Sequence, residues 1–183
     1  MRRILSVAFV ASAMFAGALI AAELKSGLQP GDDIPAYNVR DVTGPSEGRT
    51  LCYRCKYGAR PVVNIFAREM TPEVVALVKE IDGLVGKNGE KKMAAFVTLL
   101  TNDPDKDEAK LKEIAKKEGL KNVPLTVFDG VAGPDGYKIA EKANLTVTMW
   151  VDSDVKASHA FAKGGYKASN AKAIIEDTKK ILN

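Results

Sequence analysis

The feature that most constrains this chain is a repeated alternation. An apolar run too short for a helix is followed by a longer stretch with helical spacing, and then the pattern recurs. Val62 to Ala67 (VVNIFA) is β-branched and largely apolar, so it reads as a strand buried on both faces. After it, Thr71 can cap a helix, Pro72 fits the first helical position, and Glu73 suits the positive helix end. Val74, Leu77, Val78, Ile81, Leu84 and Val85 then recur at helical spacing until Asn88-Gly89. Ala94 to Leu100 is the next strand. Asp103-Pro104 opens a second helix by the same logic, with Glu108–Lys112 and Glu113–Lys117 at i,i+4 and Gly119 as the stop. Leu125 to Phe128 is the third strand.

The flanks are read the same way. Leu24 to Asp33 is a lead-in containing Gly and Pro. Ala36 to Val42 predicts a short strand, and Thr43 to Gly48 a turn. Tyr137 to Ala143 predicts a short helix. Val147–Val151 and Val155–Phe161 predict a hairpin turning at Asp152-Ser153-Asp154. Ser169 can cap a final helix with Ala171, Ile174, Ile175, Thr178 and Leu182 on one face. Strand–helix–strand units force right-handed parallel crossovers, and the hairpin adds antiparallel strands at an edge. The expected fold is one α/β three-layer sandwich, with a mixed central sheet and helices on both faces.

Arg2 and Arg3 precede an uncharged stretch, Ile4 to Ala22, that closes in small residues. This predicts a signal peptide at 1–22 and a domain at 23–183. The rival is an uncleaved anchor, the one case in which the chain would meet a membrane, because such a stretch can just span a bilayer. The expected location is exported, periplasmic or extracellular, where disulfides persist. Removing Arg2 and Arg3 takes the formal net charge from +4 to +2, too weak a balance to argue for nucleic acid. The single histidine, His159, excludes mechanisms that need two, and two cysteines exclude a self-contained four-cysteine zinc site.

Cys52-Tyr53-Arg54-Cys55 is the one constellation with evident chemistry. Two thiols at this spacing can form a reversible disulfide. Arg49, Arg54, Lys56 and Arg60 lie close by, and neighbouring cations favour the thiolate that exchanges disulfides. Three readings stay open: a redox-active dithiol, a structural disulfide, and half of a metal site shared between two chains. Haem attachment fails because Lys56, not His, follows Cys55. No cofactor and no metal is called for within one chain.

The order of elements resembles the thioredoxin fold in its peroxiredoxin-like form, the alkyl hydroperoxide reductase and thiol-specific antioxidant family. The resemblance covers roughly Leu28 to Leu182. It rests on LQPGDDIPAYNVRDVTG as the family's opening, RPVVNIFARE as its first core strand and VTMWVDSDVKASHAF as its late hairpin. The catalytic positions do not match. The family's Pro-x-x-x-Thr-x-x-Cys falls on Ala67, Thr71 and Val74, and valine cannot ionise or attack. The thioredoxin Cys-x-x-Cys would fall in Arg68 to Glu73, which holds no cysteine. A standard peroxidase is therefore excluded. Val123-Pro124-Leu125-Thr126 is locally similar to the cis-proline loop of thioredoxins. In the peroxiredoxin-like ordering that loop is Leu145-Thr146-Val147 and Pro124 merely leads a strand, and this second alignment is favoured.

The cysteine pair precedes the Val62–Ala67 strand, whereas the family's site follows it. Six strand residues span roughly 20 Å, so the pair is expected at the opposite end of the sheet. The function expected first is thiol–disulfide exchange with a protein thiol or disulfide partner. Cys52 attacks, by analogy with thioredoxin, Cys55 resolves, and Arg54 and Lys56 favour the thiolate. The alternative is a non-catalytic binding or structural module with Cys52–Cys55 as a brace. Other residues carry bland readings. His159 shares a strand face with Ala157 and Phe161. Arg68 and Glu69 are solvated charges, and Thr71 is a helix cap. Asp103, Asp105 and Asp107 are capping residues rather than a calcium loop. Asn144-Leu145-Thr146 matches a glycosylation acceptor by chance, and Trp150 and Tyr137 are core aromatics.

Overall fold

The computed structural model describes residues 24–183; the leader expected at 1–22 lies outside the described residues. In chain order the elements are β1 (Val39–Asp41), β2 (Thr50–Leu51), α1 (Tyr53–Tyr57), β3 (Val62–Ala67), α2 (Pro72–Lys87), β4 (Ala94–Thr101) and α3 (Pro104–Glu118). They continue with β5 (Leu125–Asp129), β6 (Ala143–Val151), β7 (Asp154–Ala162), α4 (Ala168–Asp177) and α5 (Lys179–Leu182). One seven-stranded sheet results, in the order β2-β1-β5-β4-β3-β6-β7.

β3 runs parallel to β4, with Val62 opposite Ala94 and Ala67 opposite Leu99. On its other side it runs antiparallel to β6, with Val62 opposite Trp150 and Ala67 opposite Leu145. All six of its residues are buried. The crossovers β3–α2–β4 and β4–α3–β5 step in the same direction along the sheet. Right-handedness therefore puts α2 and α3 on the same face. Thr71 accepts from the Val74 amide at 3.4 Å, and Gly119 ends α3 in the left-handed conformation, as the caps predict. Glu108 and Lys112 pair at 3.0 Å; Glu113 and Lys117 form no ion pair among the described residues.

The two faces of the sheet are covered differently. On the first, Val63, Ile65, Ala95, Val97 and Leu125 meet α2 through Leu77 and Ile81, α3 through Leu111, and α4 through Ile174. On the second, Val62, Phe66, Phe96 and Trp150 meet Leu28, Ile34 and Tyr37 of the lead-in, Tyr53 of α1 and Tyr137. Asn64 is the polar residue at the centre of β3. It donates to the Tyr37 hydroxyl at 2.8 Å, which sits 2.9 Å from Thr98 Oγ1. A buried polar group needs such a partner. Helices lie on both faces as expected, but α1 alone covers the second, helped by irregular chain.

The expected helix at Tyr137–Ala143 does not form. From β5 the chain must cross the second face to reach β6, and residues 130–142 do so as a loop. Gly130, Gly133 and Gly136 take positive φ there, and Lys138 does too. The amides are claimed elsewhere: Tyr137 donates to Pro134 O and Ala140 to Ser26 Oγ, while Gly27 donates to Lys138 O. β6 consequently begins at Ala143, earlier than the expected Val147. The final helix begins at Ala168, so Ser169 lies in its first turn instead of capping it; the Asn170 side chain accepts from the Lys167 amide at 2.9 Å. α1, which the sequence reading did not anticipate, occupies the cysteine segment.

All five tyrosines are held above the ordinary phenol value, first by burial. Tyr166 is pushed up to about 12. A raised pKa contributes stability that is complete below the unfolded value, near 10, and is lost as pH rises through the folded value. Unfolding free energy is therefore expected to fall above pH ~10. Phenolate absorbance should appear together with the loss of far-ultraviolet circular dichroism. Ordinary phenolate titration near pH 10 in a chain with intact secondary structure would contradict this.

Candidate redox site

Cys52 and Cys55 are joined as a disulfide with their Cα atoms 5.2 Å apart. β2 ends at Leu51, so Cys52 stands between the strand and the first turn of α1. Its sulfur accepts the Cys55 amide at 3.0 Å. Cys55 is exposed and Cys52 half-buried. This geometry needs α1, because only a helical turn brings the Cys55 N–H back onto the Cys52 sulfur. An N–H aimed at sulfur favours the thiolate over the thiol.

Tyr53 holds the segment down. It is 1% exposed, stacks on Phe96 with centroids 5.1 Å apart, and donates to Asp41 Oδ2 at 2.8 Å. Asp41 is itself fully buried and also accepts the Gly44 amide at 2.7 Å and the Ser46 amide at 2.8 Å. Gly44 is obligatory here: a Cβ would fall 2.3 Å from the Tyr53 hydroxyl and 2.6 Å from the Asp41 carboxylate. A buried carboxylate with three donors is satisfied, whereas one without them is expensive. Arg54 points away from the sulfurs. It donates to Ile34 O at 3.0 Å and to Ser153 Oγ at 2.7 Å, tying α1 to the lead-in and to the tip of the β6–β7 hairpin. Lys56 lies over the Tyr53 ring, 5.7 Å from its centroid, and reaches Ser46 Oγ at 3.4 Å. Arg60 donates to Lys92 O at 2.7 Å, and Ala59 O accepts from the Asp152 amide.

These contacts tie residues 54–60 to the end of the sheet where β3 and β4 begin, but β2 delivers Cys52 from the other end: Thr50 lies opposite Arg40, Arg40 opposite Val127, and Val127 opposite Leu99. The positions aligned with the family's catalytic residues lie where β3 ends. Thr71 caps α2, Val74 is 2% exposed in the core, and Asn144 O accepts the Arg68 amide at 2.9 Å. Asn144 and Leu145 face Thr71 and Val74 across a small cleft of about 190 Å³, but they and the expected Leu145-Thr146-Val147 loop lie within β6. Pro124 instead leads β5, and every described peptide bond is trans.

A larger cleft of about 390 Å³ is lined by Arg68, Glu69, Met70, Leu99, Asp107, Lys110, Leu111 and Ile114. Arg68 donates to Val131 O and Ala140 O, and partial burial lowers its pKa. Glu69 pairs with Lys163. Asp103 caps α3, Asp105 pairs with Arg40 at 2.8 Å, and Asp107 accepts from Thr101 Oγ1 at 2.6 Å and from Lys110. His159 meets Asp177 across 3.0 Å, a partner drawn from α4 that no local pattern on its own strand indicates. Among the described residues no group of three or more His, Cys, Asp or Glu side chains is placed to hold a metal. Asp41 and Tyr53 were not singled out as site residues. The one local signal for them is the Asp-x-x-Gly turn, whose Gly44 amide closes on Asp41.

No family model matches the sequence, and no curated protein matches it. Solved structures do match. A protein from Chlorobium tepidum, provisionally named a thiol:disulfide interchange protein DsbE, aligns with a TM-score of 0.63 at 12% identity, over 85% of this chain and 99% of that one. A protein from Bacteroides thetaiotaomicron, provisionally named a protein disulfide isomerase, aligns with a TM-score of 0.63 at 12% identity, over 87% and 94%. Peroxidoxin BcpB from Mycobacterium tuberculosis aligns with a TM-score of 0.59 at 18% identity, over 84% and 96%. At these identities the likeness is one of fold.

Asp41→Ala would leave the Gly44 and Ser46 amides and the Tyr53 hydroxyl without their acceptor. The expected loss is about 3 kcal/mol or more of unfolding free energy by denaturant titration, from three buried donors at ~1 kcal/mol or more each. Tyr53→Phe, which keeps the ring on Phe96, should lose about 1 kcal/mol. Equal stability of Asp41→Ala and the parent would show that this carboxylate does not anchor the segment.

Proposed function

We propose that this chain, thioredoxin-like in fold with the peroxiredoxin-like order of elements, is an exported thiol–disulfide exchange protein that works through Cys52–Cys55. The observation that carries the reading is a solvent-facing disulfide whose Cys52 sulfur receives the Cys55 N–H at 3.0 Å, on a segment fixed by the buried Tyr53–Asp41 pair. The fold neighbours named for disulfide interchange support it, although their likeness is of fold alone.

The chemistry follows from the two sulfurs. In the reduced protein the Cys52 thiolate, favoured by the Cys55 amide and nearby cations, attacks one sulfur of a partner disulfide. A mixed disulfide forms, and the partner's other sulfur leaves as a thiolate. Cys55, as its thiolate, then attacks Cys52 Sγ. The second partner sulfur leaves, and the Cys52–Cys55 bond is restored. The partner gains two electrons and this protein loses two. The reverse sequence oxidises a partner dithiol. Arg54 supports this at a distance, because its guanidinium is turned to Ile34 O and Ser153 Oγ.

One observation favours the alternative, a non-catalytic module. The helix end at which the fold usually carries its thiol holds the buried Val74 instead. The magnitudes weigh against a brace, however. Closing so short a loop removes chain entropy worth only about 2 kcal/mol, against ~3 for a fifteen-residue loop. Tyr53, Asp41 and Arg54 already fix this segment. A thiol pair adds chemistry here more readily than rigidity. A peroxidase is not supported, since Val74 offers no sulfur to a peroxide.

Thiol trapping across defined redox buffers tests the reading. A potential of about −120 to −270 mV is expected, and one below about −300 mV would mark a structural disulfide and overturn it. Cys52→Ser and Cys55→Ser should each abolish catalysed reduction of a protein disulfide. Turnover surviving both single substitutions would also overturn it.

A further inference from the structure

We infer that the partner of Cys52–Cys55 is an acidic polypeptide, bound in extended form along β2 with its cysteine at Cys52. The inference rests on the exchange reading above and names its substrate class. Two independent observations carry it: the charges around the disulfide, and the strand that leads into it.

The cations around the disulfide lack carboxylate partners. Among the described residues, none of the ion pairs involves Arg49, Arg54, Lys56 or Arg60. Arg54 and Arg60 donate to neutral oxygens, and Lys56 to a hydroxyl. Arg49 is exposed and makes no side-chain hydrogen bond among the described residues. The carboxylates on the same turn are engaged elsewhere: Glu47 pairs with Lys112 at 2.9 Å, and Asp41 is buried beneath Tyr53. Asp152 on the hairpin tip and Asp33 beside Ile34 are two exposed carboxylates against four cations. A surface of that kind steers anionic partners and turns away cationic ones.

The second observation selects a polypeptide over a small anionic thiol. β2 is the outermost strand of the sheet and pairs with β1 alone. It runs directly into Cys52, and Thr50 is exposed. The open edge of such a strand offers backbone donors and acceptors to an added strand. A chain laid there brings its own cysteine to the disulfide, with flanking carboxylates over Arg49 and Lys56. The step is the exchange already written. The partner thiolate attacks a sulfur of the disulfide, and the displaced sulfur leaves as the thiolate. A second partner thiol completes the transfer of two electrons.

The test uses the full oxidised chain and measures mixed-disulfide formation at low ionic strength. The probes are three peptides of equal length, with cysteine flanked by Asp, by Ser or by Lys, plus the small dianion mercaptosuccinate and neutral dithiothreitol. Rates are compared per thiolate, because flanking charges shift the peptide thiol. The Asp peptide is expected to react about tenfold faster than the Ser peptide and the Lys peptide more slowly, with the spread collapsing at high salt. Mercaptosuccinate should gain less than the Asp peptide. In Arg49→Ser the ratio of Asp to Ser peptide rates should fall two- to threefold, and because it is a ratio, changes in intrinsic sulfur reactivity cancel. Equal rates for the three peptides would overturn the inference and leave exchange standing. Mercaptosuccinate matching the Asp peptide would overturn the polypeptide and the strand edge. A disulfide that dithiothreitol also fails to reduce would overturn the exchange reading itself.

Discussion

The structure depends on one constraint: β3 is buried on both faces and both edges. A strand of β-branched and aromatic residues with no polar face can sit only in the middle of a covered sheet. Its parallel neighbour β4 demands a helical crossover, and that crossover is α2. Its antiparallel neighbour β6 is reached only after the chain has returned over the opposite face. The first face thus receives α2, α3, α4 and the short α5. The second receives the lead-in, the 130–142 loop and the single short helix α1. The uneven cover explains the buried polar set on that second face, where Asn64, Tyr37 and Thr98 hydrogen-bond one another in place of a helix's apolar stripe.

The same geometry decides where chemistry can occur. In a mixed sheet of this kind the loops before and after a central strand lie at opposite ends. The chain has no thiol after β3, where an eight-residue alignment places Val74, and a disulfide before β3. The sulfurs therefore do not occupy the helix end at which the fold usually carries its thiol, which here holds Val74. They belong to a different surface, built from the β2 edge, the Asp41 turn and the hairpin tip. That surface has its own device for favouring a thiolate, the amide of Cys55 returned by one turn of helix. The usual place for such a device is the start of the long helix that follows the strand, and here that helix is capped by Thr71 over a valine.

Much of this was legible along the chain. The caps Thr71, Asp103 and Gly119 stand where local chemistry places them, because a cap is decided within four residues. The strands from Val62 to Leu125 follow from apolar runs and turn residues alone. The Tyr137–Ala143 segment forms no helix because its hydrophobic spacing is equally that of a loop with buried anchors. Lys138 at positive φ, and the lead-in's claim on the Ala140 amide and the Lys138 carbonyl, decide the matter. Nothing on its own strand points His159 to Asp177, which comes from α4.

By itself the sequence determined the strand–helix alternation, the mixed sheet, the cysteine pair at exchange spacing and the absence of a thiol at the fold's customary position. These are properties of residue type and local spacing, and sequence carries them whole. Only the tertiary structure decided that Asp41 lies under Tyr53, that Arg54 turns from the sulfurs to the hairpin tip, and that Arg49, Arg54, Lys56 and Arg60 enter no ion pair among the described residues. Those facts depend on which distant segments pack against α1. That is settled by the burial of β3 and the path of the chain over the second face, not by any run of neighbouring residues.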